Sequence, residues 1–407
     1  MNTLRTFLCA ISLAILSACG GGGTEQPTDQ AVAPVPKTPI AVKRSSYENK
    51  MMAGEMTGPI TKPWPAVKMY PNEEITAGIA LGDFFQDGSL SIAAFSGTFD
   101  NPAGPATLAG KVYFFKSVNG AWVDKTADLL KDQTGCISPR KLLVADFNGD
   151  KKPDVFASCT GYDDFVDGKL PGEHPRFLLS QPDGTYKNVP FQLKCYCHGS
   201  AAADVRGDGY ADIVVQDNSA EGVVYFVNNK DGTFSMDRAR VPASARHFGV
   251  RNEYTRGIWT VELADIRGTG KYDLFLGGVD KIDCIGCSWG WKSKVYWNSG
   301  SDTWSDSARV ELPSPVSDAT DVYDAIFMKG YIYEHRDGPL NAARQNSVGM
   351  RKVDVSTLES TMLYEHHGFF DNGYTTSYEW VIYHDGKIKN FYTYPDISIN
   401  LNRPGFR

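Results

Sequence analysis

Four short segments concentrate the residues of this chain that can do chemistry. They are Asp83-Phe-Phe-Gln-Asp87-Gly-Ser-Leu-Ser91, Asp146-Phe-Asn148-Gly-Asp150-Lys-Lys-Pro-Asp154, Asp204-Val-Arg-Gly-Asp208-Gly-Tyr-Ala-Asp212 and Asp265-Ile-Arg-Gly-Thr269-Gly-Lys-Tyr-Asp273. Oxygen-bearing side chains at positions 1, 3, 5 and 9 of a tight loop suit a hard cation such as calcium, which takes six to eight oxygen ligands. Only the second copy fills all four positions, with Asp146, Asn148, Asp150 and Asp154. The third keeps Asp204, Asp208 and Asp212 but places Arg206 at position 3. Phe85 and Ser91 in the first copy, and Arg267 and Thr269 in the fourth, each remove two ligands. A calcium ion is expected at the second copy and a weaker one at the third. The first and fourth read as metal-free hairpins whose aspartates cap backbone N–H groups.

The leading aspartates are separated by 63, 58 and 61 residues, and each copy lies between two short apolar runs. Polar turns at Asn119-Gly120, Asp183-Gly184, Asp231-Gly232 and Ser301-Asp302 keep the same phase, with only the third unit shortened. Each unit reads as strand, acidic loop, strand, connection, strand, turn, strand, rich in β-branched and aromatic residues. Nothing of helical length or period interrupts the pattern. Four antiparallel strands cannot bury both faces alone, so copies must stack, and radial stacking into a β-propeller leaves only short edges. The fold class is therefore all-β, a propeller with blades of four antiparallel strands.

The pattern D-x-N-G-D-x-x-x-D between two strands, followed by a D-G-T-[FY] turn, resembles the FG-GAP/VCBS repeats of integrin alpha chains and many bacterial surface proteins. The resemblance covers residues 75–315 clearly, and strand-like runs such as YDAIFMKGYIYEH, VGMRKVDVSTL, YEWVIYHDGKIKNFY and ISINL continue beyond it. About 360 residues divided by a pitch near 60 gives six blades, and a compact last blade gives seven. The resemblance favours seven, with the first and last strands sharing a blade. It also places a main-chain ligand at Lys152 in the second loop, and marks Lys151 as a departure from the glycine common there.

Ahead of the repeats, Arg5 precedes a short apolar run, Phe7 to Leu16, that ends in Leu16-Ser17-Ala18-Cys19. That run is too short to span a bilayer and reads as an export signal. Its end resembles the bacterial lipobox, which implies cleavage after residue 18 and acylation of Cys19. Two or more acyl chains hold a protein stably on a membrane. Residues 19–45 read as a flexible tether of glycine, proline and small polar residues, and residues 46–407 as a single propeller domain. Gly20, in place of an aspartate, points by the same resemblance to the outer membrane, facing the periplasm or the outside.

Six cysteines remain: Cys136, Cys159, Cys195, Cys197, Cys284 and Cys287. An even count in an oxidising compartment favours disulfides. In a four-stranded blade Cys136 enters strand one and Cys159 leaves strand two, which pairs them on the rim away from the acidic loops. The other four, with His198, gather on that same rim, either as two disulfides or as a soft-metal or redox site built from C-x-C-H and C-x-x-C. The match Gly286-Cys-Ser288-Trp-Gly290 to a nucleophile elbow lacks the helix that motif requires. His366-His367 reads as a loop without the spacing of a zinc hydrolase. Trp289, Trp291, Trp297, Trp304 and Trp380 read mainly as packing between blades.

The formal charge of −7, with no Lys/Arg cluster after the start, argues against a nucleic-acid partner. The chain thus reads as a membrane-tethered propeller, stabilised by structural calcium, that binds a protein or a cell-surface polysaccharide. No catalytic set converges in the sequence, and the alternative is a propeller enzyme such as a polysaccharide lyase or a redox or metal-handling protein.

Overall fold

A computed structural model of the chain describes residues 79–89, 91–97, 110–161, 170–219, 221–246, 257–279, 290–314, 320–328, 330–339, 345–369, 381–382, 387–389 and 398–400. Cys19, the tether, Cys284, Cys287, Ser288, Trp289 and Trp380 lie outside them, as does any pairing of the chain's first and last strands.

The described residues form antiparallel meanders in sequence order. The first sheet contains β1 (Ile79–Gly82), β2 (Ser91–Phe95), β3 (Val112–Val118) and β4 (Ala121–Asp124). The second contains β5 (Pro139–Ala145), β6 (Asp154–Cys159), β7 (Arg176–Ser180) and β8 (Tyr186–Pro190). The third is β9 (Cys197–Ala203), β10 (Asp212–Asp217), β11 (Gly222–Asn228) and β12 (Phe234–Met236). The fourth is β13 (Ile258–Ala264), β14 (Asp273–Gly278), β15 (Lys294–Tyr296) and β16 (Arg309–Glu311). A fifth sheet, which has no acidic loop, holds β17 (Asp321–Met328), β18 (Tyr331–Pro339), β19 (Gln345–Asp354) and β20 (Ser360–Phe369). Three short strands, β21 (Val381–Ile382), β22 (Lys387–Lys389) and β23 (Ser398–Asn400), form a further sheet. The longest α-helix among the described residues is one turn, Thr126–Leu129, and no helix there is long and apolar enough to cross a membrane. His366-His367, expected in a loop, instead lies in β20, because the hairpin with β19 runs on to Phe369.

Strand alternation explains why the sheets stack. Leu142 and Val144 of β5 pack with Phe84 and Phe114 of the first unit, whereas Leu143 and Ala145 pack with Ile213 and Phe226 of the third sheet. Similarly, Leu274 and Leu276 of β14 meet Val214 and Tyr225, while Phe275 meets Val322 and Phe327. Both faces of these strands are apolar, so each sheet needs a neighbour on both sides. Trp291, Trp297 and Trp304 are buried in these interfaces, which accounts for them as packing residues.

The first strands of consecutive sheets lie side by side, β1 by β5, β5 by β9, β9 by β13 and β13 by β17. Lys141 of β5 nevertheless reaches past β9 to the carboxylates of Glu262 in β13 and Asp324 in β17, the latter at 3.6 Å. A straight stack would keep β5 and β17 apart. Their contact requires the innermost strands to curve around a common axis, which is the geometry of a propeller-like fold.

Candidate functional site

All four acidic loops join the first two strands of their sheets, so they share one rim. Position 2 anchors each loop in the core: Phe84, Phe147, Val205 and Ile266 are all buried. Position 1 organises the turn. Both carboxylate oxygens of Asp146 accept backbone N–H groups, from Gly149 at 2.6 Å and Lys151 at 2.8 Å, and Asp83, Asp204 and Asp265 do the same in their loops. Gly149 has φ of +81° and Lys151 +65°, the left-handed conformation that the tight turn requires.

Position 9 is a staple rather than a surface carboxylate. Asp154, Asp212 and Asp273 are each 0 % exposed and accept the N–H of a residue at the end of strand three, Ser180 (2.7 Å) and Asn228 (2.8 Å), or just beyond it, Asn298 (2.9 Å). Sequence reading missed these three partners. In the first loop the hydroxyl of Ser91 performs part of this role, accepting from Phe84 N at 2.9 Å and donating to the Gly82 carbonyl at 2.6 Å.

The loops differ in how their charge is balanced. In the third, the Arg206 guanidinium forks onto Asp212 (Nε to Oδ2 3.1 Å, Nη2 to Oδ1 3.1 Å) and lies 3.0 Å from Asp208, with Lys230 a further 3.2 Å from Asp208. In the fourth, Arg267 Nη2 donates to Asp273 Oδ1 at 2.9 Å. Each arginine also donates to the carbonyl of the same residue that its position 9 aspartate staples, Asn228 O or Asn298 O. In the first loop Lys116 from β3 pairs with Asp87 at 2.5 Å. These three loops carry a cation of their own. Of Asp204, Asp208 and Asp212, the three carboxylates expected to ligate a metal in the third loop, the Arg206 guanidinium spans two, Asp208 and Asp212.

The second loop has Asn148 where its successors have arginine. Asn148 Nδ2 donates to the Ser180 carbonyl at 3.0 Å, and Lys152 turns its ammonium away to the Gln181 carbonyl at 3.0 Å. The Ser180 hydroxyl lies 2.9 Å from Asp150 and 2.7 Å from Asp154, so both carboxylates converge on one small volume. Burial pushes the Asp154 carboxyl up to about 7 against its hydrogen bonds, and the charge of Asp150 adds to the rise. A converging set of hard oxygen donors with one buried carboxylate held near neutrality by its surroundings fits a divalent cation.

This shift has a sign that can be tested without metal. A carboxyl that is harder to ionise folded than unfolded favours folding while protonated, and that contribution is lost as pH rises through the folded value. In chelator, lowering the pH from 7.5 to 5.5 is expected to stabilise the protein by about 2 kcal/mol through Asp154. Asp154→Asn should abolish that gain, as read by urea unfolding at both pH values.

The opposite rim carries the cysteines. Cys136 and Cys159 form a disulfide, and so do Cys195 and Cys197. Glu173 braces the same region: its carboxylate accepts the N–H groups of Ile137 (3.0 Å), Ser138 (3.1 Å) and Gly161 (2.9 Å), and burial raises its pKa. Its oxygens lie close to the sulfurs of Cys136 and Cys159, but those sulfurs are bonded to each other and are not thiolate ligands. The same holds for Cys195 and Cys197, which removes the paired thiolates from the soft-metal reading of Cys195, Cys197 and His198.

Comparison with known proteins agrees with the repeat. Residues 204–276 match the family described as FG-GAP-like repeat. Integrin alpha pat-2 of Caenorhabditis briggsae is 27% identical over 231 residues, covering 52% of this chain and 18% of that protein. The Caenorhabditis elegans protein of the same name is 26% identical over the same shares. This chain thus aligns with less than a fifth of the length of these relatives. Among solved structures, an Agrocybe aegerita lectin that recognises non-reducing terminal N-acetylglucosamine matches at 15% identity and TM-score 0.40, covering 72% of this chain and 66% of its own. An ulvan lyase, described as a new family of polysaccharide lyase, matches at 12% identity and TM-score 0.36, covering 72% and 70%.

Proposed function

We propose that this FG-GAP-repeat, integrin-alpha-like protein is a binding or adhesion module. In this reading it is lipid-anchored at the bacterial outer membrane through acylated Cys19 and braced by one structural calcium ion. Its disulfide-bearing rim meets a protein or a cell-surface polysaccharide. The observation that carries the reading is the separation of tasks between the rims. The acidic loops, three of which balance their own charge, occupy one rim, while covalent bracing by two disulfides and Glu173 stiffens the other. A rigid surface loses little conformational freedom on binding, which is what a recognition face needs.

Calcium would be held by Asp146, Asn148, Asp150 and Asp154, with the Lys152 carbonyl, and would supply positive charge where burial disfavours a carboxylate. Those residues already shape the turn through their own hydrogen bonds, so the ion would stabilise the loop rather than fold it from nothing. At free calcium a hundredfold above its dissociation constant, the protein is expected to gain about 2.7 kcal/mol. Asp146→Asn should remove most of the response. Native mass spectrometry of the full chain extracted from membranes tests the parts together: one calcium lost to chelator, acyl mass on the peptide that begins at Cys19, and an intact Cys136–Cys159 bridge. A chain that carries no calcium and no acyl group would overturn the anchored, metal-braced reading.

One observation favours a second reading, a polysaccharide lyase. Arg140, His198 and Tyr323 lie near the start of three innermost strands, on the rim away from the loops. A lyase leaves unsaturated sugar ends that absorb in the ultraviolet. Incubation with acidic polysaccharides and no rise in absorbance would leave the binding role.

A further inference from the structure

The third acidic loop differs from the others at position 7, where it carries Tyr210 in place of Ser89, Lys152 or Lys271. The tip of that ring leans on the second loop, in the neighbouring sheet. A Cβ placed on Gly149, position 4 of the second loop, would stand 2.6 Å from the Tyr210 hydroxyl and 2.7 Å from its Cζ. Glycine leaves room for this approach where a side chain would displace the ring. Gly207, the equivalent residue of the third loop, has nothing within 4 Å of where its Cβ would be. A phenol from the next sheet thus covers the loop that fills all four ligand positions, at the residue between Asn148 and Asp150.

The arm that carries the phenol is fixed from within the third sheet. Tyr210 N–H donates to Asp208 Oδ1 at 3.2 Å, and Lys230, 3.2 Å from Asp208 Oδ2, sets its ammonium 5.3 Å from the centre of the Tyr210 ring. Arg206 brings a second cation to Asp208 at 3.0 Å. The cations that balance the charge of the third loop therefore also steady the ring that leans on the second. Calcium takes six to eight oxygen ligands. If Asp146, Asn148, Asp150, Asp154 and the Lys152 carbonyl each bind through one atom, the shell has room for a further neutral oxygen. A phenol hydroxyl can both accept and donate, so it can meet the ion or a water bound to it. The ring beside it keeps bulk water away, and a lower local dielectric strengthens the attraction between a cation and its carboxylates.

We propose that Tyr210 closes the cation site of the second loop from the neighbouring sheet. Its hydroxyl completes the surroundings of the ion and its ring shields them, so that Tyr210 sets how slowly calcium leaves. The proposal rests on the calcium reading above and adds to it a residue that the second loop does not itself contain.

The test uses terbium, a luminescent cation that takes calcium's place among oxygen ligands and is excited by energy transfer from a nearby tyrosine or tryptophan. It is added to the full-length chain in detergent. Asp146→Asn should abolish the sensitised emission, which assigns it to the second loop. At saturating terbium, Tyr210→Phe is expected to lose part of the emission and Tyr210→Trp to raise it. Tyr186, whose hydroxyl donates to the Pro153 carbonyl at 2.8 Å, gives a background that both variants leave in place. Calcium, titrated against bound terbium, should bind about tenfold more weakly to Tyr210→Phe, as for loss of one hydrogen bond near a charge, and its release to chelator should quicken by a similar factor. A role in packing alone would change the unfolding of the variants equally with and without calcium and leave the emission per bound ion as it was. Emission and release unchanged in both Tyr210 variants overturn the cover and leave the calcium loop standing. An unaltered chain that binds neither terbium nor calcium overturns the calcium reading, and the cover with it.

Discussion

Replacing Arg206 with asparagine is expected to make the third loop depend on calcium. Arg206 forks onto Asp212, a carboxylate that is 0 % exposed and otherwise held by the Asn228 N–H and the Tyr225 hydroxyl. Removing the guanidinium strands a fully buried charge, but Arg206 itself is 22 % exposed, so the cost falls toward the low end of the about 3–5 kcal/mol of a wholly buried pair. In chelator, Arg206→Asn should therefore lower the unfolding free energy by that amount. The same substitution gives the third loop the ligand pattern of the second, with oxygen donors at positions 1, 3, 5 and 9. Calcium at a hundredfold excess over its dissociation constant should then restore about 2.7 kcal/mol. Lys230 still stands 3.2 Å from Asp208, so adding Lys230→Ala should tighten the acquired site. The reciprocal change, Asn148→Arg, should abolish the calcium response of the natural protein. Urea unfolding with and without calcium checks each variant, and a variant at position 206 that is indifferent to calcium would show that the guanidinium does not stand in for the ion.

That exchange also shows how far the sequence could be read. Position 9 of each loop opens strand two, position 2 is apolar and position 1 is aspartate, so loop and strands were legible from local chemistry and spacing. The Cys136–Cys159 bridge was legible for the same reason, since both residues flank one hairpin. Arg206 was legible as a charge out of place, but not as the ligand of Asp212. Its role becomes visible only beside Asn228, which lies 16 residues beyond Asp212, whereas the equivalent Ser180 lies 26 beyond Asp154. Connections of unequal length hide that register in the sequence.

Within the fifth sheet, which no acidic loop fastens, the substitution Glu334→Ala is expected to be among the most damaging in the chain. Glu334 and Arg336 are both 0 % exposed and Arg351 is 1 % exposed. Arg336 Nη1 and Arg351 Nε each donate to Glu334 Oε2 at 2.6 Å. Burial raises the Glu334 pKa, but the two guanidinium groups outweigh it and hold the carboxyl below its usual value, so the group is ionised at neutral pH. Arg336 also donates to the Thr320 carbonyl at 2.7 Å, and Arg351 donates to the Pro313 carbonyl. The triad therefore ties β18 and β19 to the segments flanking the entry to β17, the strand that carries Tyr323. Deleting the carboxylate leaves two cations buried without their shared anion and should cost about 3–5 kcal/mol. Replacing all three groups together, as Glu334→Leu with Arg336→Met and Arg351→Met, should recover much of that loss, because a well-packed apolar set escapes the desolvation penalty of the ions. Chemical unfolding of both variants separates the alternatives. A triple variant no more stable than Glu334→Ala would mean that the arginines act through the Thr320 and Pro313 carbonyls, and that the carboxylate is their counterion only.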